Sequence, residues 1–454
     1  MLKVKKILFQ IENNIDAVLS GDSILGLDLW NILLQQHNAD IAMLLLRLDI
    51  NRQEALLKKF PQDIAFKVFR KIPAPLQAEL IVLVDLDYAA AIMKNMPADE
   101  LTDLFDHLSD EDLEKYLKLL QAKQRHQIIS LLNFNPHSAG GRMNSNVFTL
   151  QKDFSVKKSI ELLQRIGPHR DVLPQIFITS KDNVLVGHIT LDRLVLSKPE
   201  TPLASIIDKN VLHVYVDEDQ EDVANQMHHY GVLYAPVVDK QKHFLGVITA
   251  DDVFEIIKEE GSEDVYRMFG LVPIEYSYFA TSIWRLVWQR GRWLIGLLVL
   301  QSVSSIILSH YGSMLNQYTI IAVFLTMLIG TGGNAGSQSA TTVIRGLTTK
   351  EITRRNAQKV LLRELTVGAL IASALATVAF ARVYASCRDL LGSIAIVTSL
   401  FFIVVTSMLL GSIIPMILER FDIDPAHSAA PFLSTIMDIL GVLIYCFVCS
   451  KILG

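Results

Sequence analysis

Cysteine is nearly absent, with 3 among 454 residues, and two of them, Cys446 and Cys449, fall in one apolar run. They build no disulfide framework, and their Cys-x-x-Cys spacing is read as packed or lipid-facing filler, not a redox pair. Histidine is missing from the interior of the apolar runs, where His310 and His427 stand only at the ends, so no soft-metal site is expected inside them. A Walker loop, a nucleophile paired with a base and a catalytic metal motif are all missing, which argues against an enzyme. The opening "MLKVKKILFQIENN" lacks an apolar core of useful length for a cleavable signal, so the chain is expected to start in the cytoplasm.

What is present is unevenly distributed. Charges are spread through the chain up to Tyr278, whereas apolar stretches dominate after Trp293. Residues 281–454 hold 13 Lys/Arg against 7 Asp/Glu, a balance of +6, so with −5 for the whole chain the first 280 residues carry −11. An acidic soluble part argues against nucleic acid and suits a cation partner, although plain surface solubility also gives such a balance. Five runs approach the ~20 apolar residues that cross a bilayer, at about 292–311, 317–338, 363–384, 393–417 and 428–451. Ten Lys/Arg, including Arg285, Arg345, Arg355 and Arg420, fall on one side of these spans and only Arg382, Arg388 and Lys451 on the other. The positive-inside rule then puts the N-terminus in the cytoplasm and the C-terminus on the far side of the membrane.

Residues 49–120 repeat with a period of 12: an apolar residue closes each unit (Phe60, Ile72, Val84, Met96, Leu108) and a helix starter follows (Pro61, Pro73, Asp85, Pro97, Ser109). Pairs such as Leu56/Leu57, Val68/Phe69, Leu80/Ile81 and Leu104/Phe105 put one apolar stripe on each short helix, and such helices must stack into a superhelix to bury it. From about Met143 short apolar runs alternate with helical stretches, and "VLVGHITLDRLV" and "FLGVITADDVFEII" overlay as two strand-turn-helix copies. These resemble a tandem pair of CBS domains. Gly246, Thr249 and Asp252 match that family's Gly-x-x-Thr-x-x-Asp nucleotide signature, which implies either a nucleotide such as ATP there or a purely structural strand-to-helix turn. In the first copy Arg193 stands where the acid would fall, with Asp192 one place early. An acid-rich helix with Asp251, Asp252, Glu255, Glu259, Glu260, Glu263 and Asp264 then leads toward Trp284, Trp288 and Trp293, residues suited to a membrane interface.

Asp438 is the one acid read as lying deep in an apolar span. A carboxylate at bilayer depth costs ~2.5–3.5 kcal/mol even on insertion scales, and no basic residue lies at matching depth, so a cation from solution is the expected partner. Ser434 and Ala430 fall on the same helical face, and Pro431 frees carbonyls near 427–430. Hydroxyl, carboxylate and carbonyl form the oxygen set of a hard cation. In "IGTGGNAGSQSATTVIRGL" the glycines Gly330, Gly332, Gly333 and Gly336 allow close helix approach, and Asn334 adds an oxygen acceptor expected at the cytoplasmic mouth of the second span.

"GGNAGSQSATTVIRGL", then "DPA" and "PFLSTIMD", in this domain order with "SAGGRM" before the CBS pair, resemble the MgtE family of magnesium transporters. The resemblance implies a homodimer with Asp438 as central pore carboxylate, helped by Asn334, Ala430 and Ser434, and with Asp424 at the cytoplasmic mouth. It implies regulatory Mg²⁺ held by Asp219, Glu221, Asp252, Glu255, Glu260, Glu263 and Asp264, with Asp99 and Glu100 as N-domain candidates. The expected fold class is multidomain: a helical superhelical N-domain (1–135), α/β CBS domains (136–200 and 201–258), a connecting helix (259–283) and a five-helix α transmembrane domain (284–454). The expected partners are Mg²⁺, the lipid bilayer and a second copy of the chain. Two other readings stay open: a transporter of other divalent cations such as Co²⁺ or Mn²⁺, and a membrane-anchored CBS nucleotide sensor.

Overall fold

The computed structural model describes residues 2–167, 174–272, 282–421, 423–425 and 429–453. Two compact units divide the chain: residues 1–260 with 274–281, and residues 261–273 with 282–454.

The first unit opens with α1 Leu2–Asn13, α2 Ile15–Ser20 and α3 Ile24–Leu34. The repeat region then gives α4 Asn38–Leu45, α5 Ile50–Lys59, α6 Gln62–Phe69, α7 Ala74–Leu83, α8 Leu86–Met93, α9 Ala98–Asp106, α10 Asp110–Leu117 and α11 Ala122–Leu131. Their N-caps, His37, Asp49, Pro61, Pro73, Asp85, Pro97, Ser109 and Gln121, keep the 12-residue register one unit beyond 49–120 at each end. Pro61, Pro73 and Pro97 stand at the cap itself, not in the first turn; their φ of −52 to −58° with ψ of 142–154° turns the chain into each helix. The apolar pairs at 56/57, 68/69, 80/81 and 104/105 are at most 1% exposed.

A second period of 24 lies beneath the first. Next-but-one helices pack together, α5 on α7, α7 on α9, α9 on α11, and α4 on α6, α6 on α8. The carbonyls left open at the ends of the even helices are met by long side chains. Gln53 Nε2 donates to Leu45 O and Leu48 O, Gln77 Nε2 to Phe69 O and Ile72 O, Gln124 Nε2 to Met93 O and Met96 O, and Arg125 to Leu117 O and Leu120 O. Tyr88 and Tyr116 hydroxyls likewise donate to Leu57 O and Ile81 O.

After α12 Ala139–Arg142 come two copies of one α/β unit. In the first, β1 Thr149–Gln151 pairs parallel with β2 Gln175–Thr179, which pairs antiparallel with β3 Leu185–Thr190; α13 Val156–Ile166 and α14 Leu191–Leu196 complete it. The second repeats this with β4 Val214–Tyr215, α15 Gln220–Tyr230, β5 Tyr234–Val238, β6 Phe244–Thr249 and α16 Ala250–Met268. The segments leading into the copies are exchanged: Asn144 bridges to Val247 and Asp208 to His188. Gly246 and Gly187 permit these approaches, since a Cβ would lie 2.6 Å from Asn144 O and 2.3 Å from Asp208 O. The connecting helix therefore begins as the last helix of the second copy, at Ala250, and runs through Gly261 to Met268. Residues 273–281 of the expected 259–283 helix lie outside the described residues, as do His427 and the expected span start at 428.

The second unit contains five helices long and apolar enough to cross a membrane, among the described residues: α17 Ile283–His310, then after α18 Gly312–Gln317 the helices α19 Thr319–Thr348, α20 Ala357–Cys387, α21 Leu390–Arg420 and α22 Ala429–Leu453. Their ends overrun the expected spans, most of all in α19, which continues ten residues beyond 338 because Ser, Thr and Ala sustain the helix where apolar character fades. α21 packs on α19, α20 and α22, and α22 also packs on α17 and α19. The start of α19 and the end of α22 are tied by Tyr318 Oη donating to Leu453 O and Tyr445 Oη donating to Ile321 O, both 2.8 Å. Trp284 and Trp288 are exposed, but Trp293 packs on Gly270, whose φ of +67° admits the turn and whose Cβ would meet the indole at 2.5 Å.

Candidate functional site

The glycine-asparagine stretch forms no loop; it is the middle of unbroken α19. Its glycines make a helix contact: a Cβ at Gly332 would lie 2.5 Å from Ile403, one at Gly336 2.4 Å from Ser407 Oγ, and one at the facing Gly411 2.3 Å from Gly336 O. Ser407 donates to Gly332 O across that contact. Gly333 faces α22, its Cβ position 3.4 Å from Ser434 Oγ, and Asn334 next to it is exposed on α19.

Asp438 lies half-buried on α22, one turn beyond half-buried Ser434, with Ala430 a turn earlier. Pro431 sits in the first turn of α22, where a missing N–H costs nothing, so it does not interrupt the helix. Asp438 has a partner the sequence did not reveal: Gln301 Nε2 of α17 donates to Asp438 Oδ2 at 3.0 Å. A lone amide in "LLVLQSV" was the available signal. A second acid also enters the bundle. Ser339 Oγ lies 2.6 Å from Glu364 Oε2 and 2.9 Å from Met408 O, joining α19, α20 and α21. Glu364 escaped notice because it stands at the very start of the expected span 363–384, beside Arg363, where an acid reads as the polar end of a helix. Asp424 is ion-paired with Arg267, which also pairs with Glu263 on α16, so this carboxylate is engaged within the second unit.

In the first unit the acids separate into distinct roles. Glu100 is held by the Arg70 guanidinium and is committed to the solenoid. Asp219 caps α15, accepting from Glu221 N at 2.9 Å, and both residues are exposed. Asp252 accepts from Thr249 N and Oγ1 at 2.8 and 2.7 Å, so the Gly246–Thr249–Asp252 turn is accounted for as the start of α16. Asp99 is different: its Oδ1 is sealed from solvent without a hydrogen-bond partner. Burial, then the charges of Asp252, Glu100 and Asp103, push its pKa up to about 8. Burial raises Asp103 to about 7 against the opposing pull of Arg142, raises Asp252 to about 6 and raises Glu255, with Glu259 adding to the last. Among the described residues no three of these acids converge closely enough to hold a metal ion, so the expected regulatory ligands stand as crowded carboxylates and not as an assembled cage. Glu260 accepts from Gln220, while Glu263 and Asp264 belong to the second unit.

A carboxyl whose folded pKa exceeds its unfolded value favours the packed state fully below the unfolded pKa and loses that contribution as pH rises through the folded one. For Asp99 the window runs from 3.8 to about 8. With chelator present, α9 and the first turns of α16 should therefore exchange their amides faster at pH 9 than at pH 6 after intrinsic-rate correction. Mg²⁺ should restore protection at pH 9. Equal protection at both pH values would count against the buried carboxyls.

A bundle of five membrane-length helices holding an amide-bound carboxylate beside a small-residue contact, joined to a solenoid and a CBS-type pair, defines a multi-pass ion-transport protein. A family model described as divalent cation transporter, MgtE, matches residues 325–448; the MgtE intracellular N domain matches 36–137 and a CBS domain 203–259. The magnesium transporter MgtE of Thermus thermophilus is 29% identical over 428 residues, covering 94% of this chain and 95% of the relative. That of Bacillus subtilis is 28% identical over 370 residues, 81% of each. Among solved structures, the cytosolic domain of the Mg²⁺ channel MgtE in complex with ATP aligns at 24% identity and a TM-score of 0.49, over 54% of this chain and 99% of that one. The chain belongs to the MgtE family of divalent cation transporters.

Proposed function

We propose that the chain is a homodimeric magnesium transporter of a bacterial inner membrane, N-terminus in the cytoplasm and C-terminus outside, closed by the cytosolic Mg²⁺ that its acidic soluble unit binds. The carrying observation is Asp438 held by Gln301 among apolar helices. With one carboxylate oxygen accepting from the amide, the other is left to an ion. Mg²⁺ prefers six oxygens at ~2.0–2.1 Å and sheds water reluctantly, so a sparse set of Asp438, Ser434, Asn334 and Ala430 carbonyl suits a hydrated ion. Asp424 belongs to the cytoplasmic side of this path, where an arriving ion competes with Arg267 for its carboxylate.

Regulation rests on the crowded acids. At low Mg²⁺, Asp99, Asp252 and Glu255 repel; bound ions offset that repulsion, with Asp219, Glu221 and Glu260 of the same unit as further ligands. Moving from 1:99 to 99:1 takes ~5.5 kcal/mol of differential binding, within reach of several weak sites. The Thr249–Asp252 contacts shape the CBS turn, and a nucleotide such as ATP at the CBS pair would act beside the ion. The test is flux into reconstituted vesicles with each ion in turn. Mg²⁺ should pass and equimolar Ca²⁺ should not block it, with Co²⁺ and Mn²⁺ passing to a lesser degree. Ca²⁺ flux exceeding Mg²⁺ flux would favour a general divalent-cation transporter.

A further inference from the structure

Arg142, the last residue of α12, stands among the acids of the first unit with its side chain 16% exposed. Its Nε donates to Gln220 Oε1 at 2.7 Å, its Nη2 donates to Glu259 Oε2, and its Nη1 lies 3.9 Å from Asp103 Oδ2. One guanidinium thus joins α9 of the solenoid, α15 of the second α/β copy and α16. Gln220, 1% exposed, extends the link: its Nε2 donates to Glu260 Oε1 and lies 3.2 Å from His137 Nδ1.

We propose that Arg142 is a tethered cation occupying one position of the acidic interface, holding α9, α15 and α16 together without metal, so that the soluble unit compacts at lower Mg²⁺ than its acids alone would permit. This rests on the reading of the interface as a Mg²⁺ sensor. Asp103 and Glu259 come from elements far apart in sequence, and their charges oppose the contact unless a cation lies between them. A free Mg²⁺ must be drawn from solution and partly stripped of water. The guanidinium is already attached, weakly hydrated and forked to serve two partners at once. It carries a single charge, so it offsets part of the local excess and leaves Asp99, Asp252 and Glu255 to respond to ions. A residue that merely filled space would be replaced without consequence by Met, which keeps the unbranched apolar stem.

The experiment uses the full-length protein in detergent, reading amide exchange of residues 99–106 and 252–260 in chelator and across a Mg²⁺ titration. In chelator, Arg142→Met should exchange about tenfold faster in both segments, because Asp103 and Glu259 are left facing each other. Its Mg²⁺ midpoint should rise several-fold and its response steepen, since the two freed carboxylates now take part in ion binding. Arg142→Lys, which keeps charge but loses the fork, should fall between. Arg142→Met combined with Glu259→Gln removes the repulsion and should recover most of the lost protection; if the single variant is not recovered folded, this pair and Arg142→Lys decide the matter. Wild-type protection and midpoint in Arg142→Met, with a normal Mg²⁺ response in the parent, would overturn the tethered-cation role and leave the sensor reading standing. A parent that ignores Mg²⁺ while Arg142→Met is loosened in chelator would instead overturn the sensor reading and retain the guanidinium link.

Discussion

Asp438→Asn should lower Mg²⁺ flux about 100-fold at matched expression while the protein still assembles. A unit charge acting across ~5 Å at an effective dielectric near 20 is worth about 3 kcal/mol, which is roughly two orders of magnitude in occupancy. Asparagine keeps the volume and can still accept from Gln301, so the difference isolates charge from shape. Gln301→Leu makes the complementary change. It leaves the carboxylate and removes its donor, and the loss of one hydrogen bond to a charged group, ~1.5–3 kcal/mol, should cost about tenfold or somewhat more in flux. Size-exclusion profiles of both variants should match the parent. Undiminished Mg²⁺ flux in Asp438→Asn would remove Asp438 from the ion path, and a larger loss in Gln301→Leu than in Asp438→Asn would reverse their roles.

Gly411→Ala should destabilise the membrane bundle, whereas Gly330→Ala should not. At Gly411 the added Cβ meets Gly336 O at 2.3 Å and Ala340 N at 3.2 Å, and since both are backbone atoms no rotamer change relieves the clash. Helices α19 and α21 must separate, at an overpacking cost of about 1–3 kcal/mol. At Gly330 nothing lies within 4 Å of the new methyl, and alanine's better helix propensity favours the variant by about 1 kcal/mol. Thermal unfolding in detergent reads both. Equal midpoints for the two variants would show that the glycine contact between α19 and α21 is not close in the assembled protein.

These expectations also show which parts of the molecule were legible in its residues. The 12-residue period was, because an N-cap is a local device: Asp49, Pro73 and Ser109 mark helix starts whatever surrounds them. The 24-residue layer was not, because its donor position is filled by different residue types, Gln53, Gln77 and Arg125, and is interrupted by Leu101 in α9, where Gln124 of α11 serves Met93 and Met96 instead. The apolar spans were legible as runs, and their ends were not, since Ser, Thr and Ala in "SQSATT" carry neither an apolar nor a helix-stopping signal. For the candidate site, chemistry was readable and pairing was not. Asp438 is conspicuous by its surroundings, but nothing in one dimension aligns Gln301 with it. Glu100 and Asp99 are neighbours of the same type, yet Arg70, 30 residues away, claims one and leaves the other unpartnered.

The next-but-one packing of the solenoid makes it modular. Each helix depends on helices up to three places before and after it, the reach of Tyr88, Tyr116 and Gln124, so disturbance at one end decays along the pile instead of reaching every layer. Helices α1–α3 and the layers next to them are therefore free to be lengthened, shortened or replaced over generations with little effect on α9, several steps away. Asp103 of α9 answers to a different neighbour, Arg142 of α12, and that junction is where sequence drift should be most constrained.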